Sequence, residues 1–140
     1  MEMNHFSYEE IKQGQVYEFK KNITNEDITT FSNLTGDKNP LHCDENYASK
    51  TRFKGVIVPG MLASSMFSTL FGMLCPGKKN LYLTQTLNFE SPIKPNSEIT
   101  VRGIVTRKID SLKIICFDTH ILVNGNIAIK GEAKIKVMEE

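Results

Sequence analysis

Residues 61–75 read MLASSMFSTLFGMLC and form the longest apolar run of the sequence. Pro59-Gly60 before the run and Pro76-Gly77 after it mark its two ends. The bulky residues fall on nearly every side of a helix, which is typical of a helix that is buried over most of its circumference. Small residues occupy one side at intervals of three and four, namely Ser64, Ser65, Ser68, Thr69 and Gly72. Such a stripe indicates close packing of a neighbouring backbone or the wall of a narrow slot.

The sequence after this run is rich in β-branched residues, and we expect strands at residues 81–89, 98–109, 112–123 and 126–137. Asn124-Gly125, between the last two segments, is a strong signal for a hairpin turn. A buried helix followed by an antiparallel meander predicts an α+β fold in which the sheet wraps around the helix. We expect residues 1–140 to form a single domain.

The sequence before the run predicts one strand and two helices. Residues 16–19 alternate between apolar and polar, as in a strand. Thr24 and Asp27 form a loose capping box at the start of a helix, which ends at Gly36, a residue that can adopt the left-handed conformation. Asp44 is well placed to cap a short second helix.

Composition and charge exclude several classes of function. The formal net charge is +1 and there is no basic block, so neither nucleic acid nor an anionic membrane is expected as a partner. The first ten residues have no apolar core, so we expect no signal peptide, and the apolar run is shorter than the ~20 residues that a membrane span needs. Cys43, Cys75 and Cys116 are odd in number and widely spaced, which favours reduced thiols and a cytoplasmic protein.

Residues 36–42 place two polar side chains around a break in the chain. Pro40 prevents a helix from continuing through the preceding residues, so Asp37 and His42 lie on an ordered turn. A carboxylate and an imidazole that share one water can move a proton while that water is added or removed. The alternative is purely structural, because Gly, Asp, Asn and Pro are the commonest residues in turns.

The longer stretch FSNLTGDKNPLHCDENYA, residues 31–48, resembles the motif of the MaoC-like, (R)-specific enoyl-CoA hydratases. The positions that match are Phe31, Leu34, Thr35, Gly36, Asp37, Asn39, Pro40, Leu41, His42 and Ala48. The resemblance implies a hot-dog fold, in which an antiparallel sheet surrounds a central helix, and assembly into homodimers or dimers of dimers. An open sheet edge would also favour pairing with a second copy.

The resemblance further implies a hydro-lyase that reversibly adds water to a trans-2-enoyl thioester and gives the (3R)-3-hydroxyacyl thioester. Asp37 would be the principal base, and His42 would share the water and relay the proton. Asn39 would brace the turn and belong with Gly60 and Ser68 to the substrate-binding residues. The Gly60 N–H would hold the thioester oxygen, and Ser68 would line the acyl slot. No metal or redox cofactor is expected, because the thioester itself and the Gly60 N–H contact acidify the α-proton. Coenzyme A or acyl carrier protein would be part of the substrate.

Several alternatives remain open. Pro59 stands where many relatives have His, which bears on substrate preference. Ser68 could instead bond back to a helix carbonyl. Cys43 beside His42 could suggest a nucleophile pair, but sequence neighbours generally point apart. A hot-dog acyl-thioesterase or a non-catalytic acyl-thioester binding module would share the same fold. Lys78 and Lys79 could meet the phosphates of coenzyme A or form a solvated turn, and no metal site is indicated at His5 or His120.

Overall fold

The computed structural model describes residues 1–139, and within them six strands form one antiparallel sheet. The strands are β1 (Val16–Asn22), β2 (Asn80–Gln85), β3 (Asn88–Phe89), β4 (Glu98–Ile109), β5 (Ile114–Val123) and β6 (Asn126–Val137). Their order is β1-β4-β5-β6-β2, and β3 also pairs with β6. The four predicted β segments are therefore present, with two differences. The segment predicted at residues 81–89 is divided into β2 and β3 by residues 86 and 87, and residues 112 and 113 lie in the turn that precedes β5.

The β5–β6 connection is the two-residue hairpin that the sequence predicts. Val123 pairs with Asn126 across the turn. Asn124 and Gly125 have φ angles of 51° and 78°, as a type I′ turn requires at both of its central positions. The left-handed conformation is accessible to Asn and Gly at low cost, so local chemistry helps to fix the register between β5 and β6.

Residues 60–74, here called the central helix, lie against the sheet in three consecutive helical segments. These are α4 (Gly60–Ser64), α5 (Met66–Thr69) and a π-helical turn (Leu70–Leu74). The predicted helix is present but less regular than expected. The Ser65 hydroxyl donates to the Leu62 carbonyl at 2.5 Å where α4 ends, and such back-bonding is a known cause of helix bending.

The core lies between the central helix and the concave face of the sheet. Phe67, Leu70 and Phe71 are buried, and the Phe71 ring lies 4.8 Å from that of Phe117. A Cβ on Gly103 would lie 3.0 Å from Leu70 Cδ2, which shows how closely the helix approaches β4. Each fully buried aromatic side chain contributes about 2–3 kcal/mol of apolar transfer free energy, so this contact stabilises the packing of the central helix on the sheet.

The central helix is buried or half-buried over most of its circumference, as the sequence predicts, and one narrow side of it is exposed. Met61 is 61% exposed, and Ser65 and Ser68 of the small-residue stripe are exposed as well. Periodicity identified the stripe, of which Ser64 is buried, but could not show that Met61 lies on the exposed side. Among the helices of residues 1–139, none has the length and apolarity that crossing a membrane would require.

Three helices connect β1 to the central helix: α1 (Asn25–Thr35), α2 (Pro40–Cys43) and α3 (Glu45–Ser49). The predicted capping box at Thr24 and Asp27 is confirmed by hydrogen bonds of 3.1 and 3.0 Å. Gly36 ends α1 with φ 83°. The Asp44 carboxylate accepts the Tyr47 N–H at 3.1 Å, which confirms its role as the cap of α3.

Candidate active site

The turn between α1 and α2 is fixed by hydrogen bonds between side chains and nearby backbone groups. The Asp37 carboxylate accepts the Asn39 N–H at 3.1 Å. The Asp37 N–H donates to the Thr35 hydroxyl at 3.2 Å, and the Asp37 carbonyl accepts the Ser32 hydroxyl at 2.6 Å. The turn is therefore ordered even though Asp37 and its neighbours on either side are exposed.

Asn39 braces this turn, as the sequence predicts. Its side-chain oxygen accepts the Leu41 N–H at 3.0 Å and so caps α2. Pro40 occupies the first helical position, where its missing N–H costs nothing. The Asn39 carbonyl accepts the N–H of His42 at 3.0 Å. Asn39 thereby helps to position His42, whereas a contact between Asn39 and substrate stays a prediction.

The orientation of the His42 ring is set by a backbone carbonyl that is distant in sequence. His42 Nδ1 lies 2.7 Å from the Ile57 carbonyl oxygen. Since a carbonyl oxygen can only accept, we assign the proton to Nδ1, which leaves the lone pair of Nε2 available to an incoming water. Sequence reasoning missed Ile57, because any residue type can supply a backbone carbonyl.

His42 and Gly60 line one cavity of about 310 Å³, here called the His42–Gly60 cavity. Its walls are mostly apolar and include Ile57, Val58, Met61, Phe89 and Ile93. An apolar cleft with a few convergent polar groups is the usual form of a small-molecule site. The cavity therefore offers a largely apolar environment in which the His42 imidazole, the Gly60 N–H and the Ser91 hydroxyl are candidate polar contacts.

Gly60 begins the central helix and has a free backbone donor. The Pro59 carbonyl accepts from Leu62 and Ala63 at 3.0 and 3.1 Å, whereas the Gly60 N–H makes no hydrogen bond within residues 1–139. A Cβ at this position would lie 2.5 Å from Phe89 Cε1. Glycine is therefore the residue that allows the Phe89 ring to close over this point, a contact that sequence reasoning did not foresee.

Asp37 and Ser68 lie outside the lining of the His42–Gly60 cavity. In the described part of the chain, Asp37 makes no direct hydrogen bond to His42, and the Ser68 hydroxyl, which is exposed, makes no hydrogen bond. Ser68 thus differs from Ser64, whose hydroxyl donates to the Gly60 carbonyl at 2.8 Å. A water shared by Asp37 and His42, and an acyl contact by Ser68, stay predictions.

The remaining candidates from the sequence do not assemble into a site. The Cys43 thiol donates to the Ser32 hydroxyl at 3.6 Å rather than to His42. His5 forms a bridge to Gly77, and His120 lies within β5. Between Met1 and Glu139, no group of three or more His, Cys, Asp or Glu side chains is arranged to hold a metal ion.

Together these features define a class of protein. A sheet wraps around a central helix, and an imidazole and a free N–H line one cavity at the start of that helix. The family model described as a MaoC like domain matches residues 7–126. The chain therefore belongs to the MaoC-like domain family, and its predicted hot-dog fold is confirmed.

Two curated relatives and one solved structure illustrate the similarity. The chain is 36% identical over 130 residues to an (R)-specific enoyl-CoA hydratase of Rhodospirillum rubrum, covering 93% of this chain and 90% of the relative. It is 36% identical over 132 residues to the (R)-specific enoyl-CoA hydratase of Aeromonas caviae, covering 94% and 98%. The unliganded R-hydratase PhaJ1 from Pseudomonas aeruginosa superimposes with a TM-score of 0.93 at 32% identity, over 99% of this chain and 89% of that one.

Proposed function

We propose that this protein is an (R)-specific enoyl-CoA hydratase, a hydro-lyase that also dehydrates 3-hydroxyacyl thioesters in the reverse direction. The observation that carries the proposal is the His42–Gly60 cavity, where a free imidazole nitrogen and a free N–H border one apolar space. The identity of 36% to two proteins with this activity in their names supports it.

The substrate carbonyl oxygen accepts the Gly60 N–H, which stabilises the negative charge that develops when water attacks C3. One such donor in a dry site contributes roughly 3 kcal/mol to the transition state. The attacking water lies between Asp37 and His42, and Asp37 is the principal base. The water oxygen bonds to C3 with one hydrogen, and the other proton passes through the Asp37–His42 pair to C2 on the same face.

Ser68 and Asn39 complete the substrate-binding set in this proposal. Ser68 lines the acyl slot from the exposed side of the central helix, and Asn39 holds the turn that carries both proton-transfer groups. The reaction requires no metal or redox cofactor, because the thioester acidifies its own α-proton and the Gly60 N–H stabilises the enolate. Coenzyme A or acyl carrier protein enters only as part of the substrate.

A second copy of the chain is the partner that the exposed surface favours. Strand β2 ends the sheet, and its side chains Leu81 and Leu83 are each 45% exposed. An open edge with apolar side chains is stabilised by pairing with a symmetric copy. We propose a homodimer or a higher homo-oligomer that covers β2 and the exposed side of the central helix. The compartment that we propose for the protein is the cytoplasm, because each chain has three free cysteines and free thiols persist in a reducing compartment.

Crotonyl-CoA separates this function from the two alternatives. A hydratase reduces the absorbance of the conjugated enoyl thioester without releasing thiol. A thioesterase releases coenzyme A with its free thiol, and a binding module raises its own melting temperature without turnover. Release of thiol at the rate of absorbance loss, or ligand-induced stabilisation with no absorbance loss, would contradict the hydratase.

A further inference from the structure

The Phe89 ring lies against Gly60, the residue whose N–H is the proposed donor to the thioester oxygen. A Cβ on Gly60 would lie 2.5 Å from Phe89 Cε1 and 2.6 Å from Phe89 Cδ1. Both distances are far shorter than an ordinary contact between two carbon atoms. The edge of the ring therefore occupies the space that a side chain at position 60 would need.

The ring lies at the same end of the central helix as the Gly60 N–H. The Cα–Cβ bonds of a helix tilt toward its N-terminus, and the N–H groups of its first turn point toward that end as well. A ring at the Cβ position of the first helical residue is therefore a neighbour of the N–H of that residue. Gly60 and Phe89 line the same cavity, and Phe89 is 55% exposed. The ring thus contacts Gly60 with one part and faces solvent with another.

Backbone hydrogen bonds hold the segment that carries Phe89 in place relative to Gly60. Phe89 pairs with Ile129 of β6, a buried residue that also lines the cavity. Four residues after Phe89, the Ile93 carbonyl accepts the Val58 N–H at 2.8 Å. Val58 comes just before the central helix, so this bond joins the two segments that bring the ring and the N–H together.

We propose that Phe89 is a positioning residue that acts through Gly60: its ring keeps water away from the Gly60 N–H and leaves this donor free for the thioester oxygen. The proposal rests on the proposed function, since it takes an acyl thioester as the ligand of that N–H. A hydrogen bond is electrostatically stronger where water is excluded. A donor that is already desolvated and fixed also needs no reorganisation when negative charge develops on the oxygen.

The first test compares kcat with crotonyl-CoA in Phe89→Ala, Phe89→Leu and Met61→Ala. Loss of a whole oxyanion donor costs about 10²–10³-fold in kcat, so we expect the weakened donor of Phe89→Ala to lower kcat roughly tenfold. Phe89→Leu keeps an apolar side chain over Gly60 and should restore most of the loss. Met61→Ala is the matched control, because it removes another apolar side chain from the same cavity and leaves the ring in place. An unchanged kcat in Phe89→Ala, or an equal loss in Met61→Ala, would overturn the proposal.

A second measurement reports on the hydrogen bond itself and needs no turnover. The probe is butyryl-CoA, a saturated analogue that is isotope-labelled at its carbonyl carbon, and infrared difference spectroscopy compares its C=O stretching frequency free and bound. Since a strong hydrogen bond lowers this frequency, we expect a downshift in the wild type and in Met61→Ala and a smaller one in Phe89→Ala. Loss of packing alone would leave the downshift unchanged, and an equal downshift in the wild type and Phe89→Ala would overturn the proposal.

Urea unfolding of Gly60→Ala, Phe89→Ala and the double variant tests the contact between the two residues. The new methyl group collides with the ring only where the ring is present, so Gly60→Ala should lower the urea midpoint more in the wild type than in Phe89→Ala. Any gain in helix propensity from alanine is common to both backgrounds and cancels in the comparison. Additive effects would show that the ring does not occupy this space and would overturn the proposal.

These measurements keep the role of Phe89 apart from the proposed function. Turnover of crotonyl-CoA with the same downshift in Phe89→Ala as in the wild type leaves the hydratase standing and removes the role of Phe89. If the wild type does not hydrate crotonyl-CoA, the hydratase fails, and the downshift of butyryl-CoA alone decides the role of Phe89. A downshift that depends on the ring supports this role, whereas an absent downshift, or one that is equal in both proteins, overturns it.

Discussion

The turn at residues 36–44 and the central helix at residues 60–74 meet at one cavity but are held in different ways. The turn is exposed, and its shape depends on local hydrogen bonds from Asp37, Asn39 and Asp44. The central helix buries large aromatic side chains such as Phe67 and Phe71 against the sheet. The comparison teaches that the apolar helix contributes to the buried core, while the turn carries the proposed proton-transfer groups at an exposed position.

Phe71→Ala should show the largest effect and should act on stability. Removing a buried aromatic side chain leaves a cavity that the surrounding sheet cannot fill, so the free energy of unfolding should fall by about 3–5 kcal/mol. Urea unfolding measures this loss. Leu34→Ala is the control, because Leu34 is an apolar residue that is 85% exposed. A similar loss of stability in both variants would contradict the view that the buried side of the central helix stabilises the fold more than exposed apolar side chains do.

His42→Ala and Asp37→Asn should act on catalysis and leave the fold intact. Each removes one member of the pair proposed to share the water, so kcat with crotonyl-CoA should fall by ~10²-fold or more. The melting temperature should change little, since both side chains are at least partly exposed. His120→Ala is the control variant: His120 lies within β5, so this variant also loses an imidazole, but outside the candidate active site. Rates near those of the wild type in either turn variant would discard the assigned roles.

Asn39→Ala should show the smallest effect and should lower both the stability of the fold and kcat. Loss of the cap of α2 costs about 1 kcal/mol of stability, and the freed helix holds His42 less firmly, so kcat should also fall. Asn39→Asp keeps a side-chain oxygen that can accept the Leu41 N–H and should restore most of both. An Asp variant as impaired as the Ala variant would show that Asn39 has a role other than capping.

The same comparison explains which parts of the structure the sequence could predict. Short-range chemistry determined the capping box at Thr24, the left-handed Gly36 and the Asn124-Gly125 hairpin, and all three are observed. Strand positions followed from the β-rich segments. The exposure of Met61 did not follow, because Met61 is apolar and periodicity alone cannot show which side of a helix the sheet covers.

The site shows the same division between local and distant contacts. The motif identified His42, the family resemblance implied Gly60, and the structure brings the two to one cavity. It could not identify the Ile57 carbonyl that fixes the His42 ring, since this contact spans 15 residues and involves no particular side chain. Nor could it identify Phe89, which reaches Gly60 from the two-residue strand β3 through sheet pairing with Ile129.

The central claim is that one water, held by Asp37 and His42 on one face of the substrate, supplies both the hydroxyl at C3 and the proton at C2. Hydration of crotonyl-CoA in deuterium oxide tests it directly, with NMR of the product giving the relative configuration of its two new bonds. The account predicts a single (3R) product in which deuterium at C2 and the hydroxyl at C3 lie on the same face. Addition on opposite faces, or a mixture of both products, would contradict it.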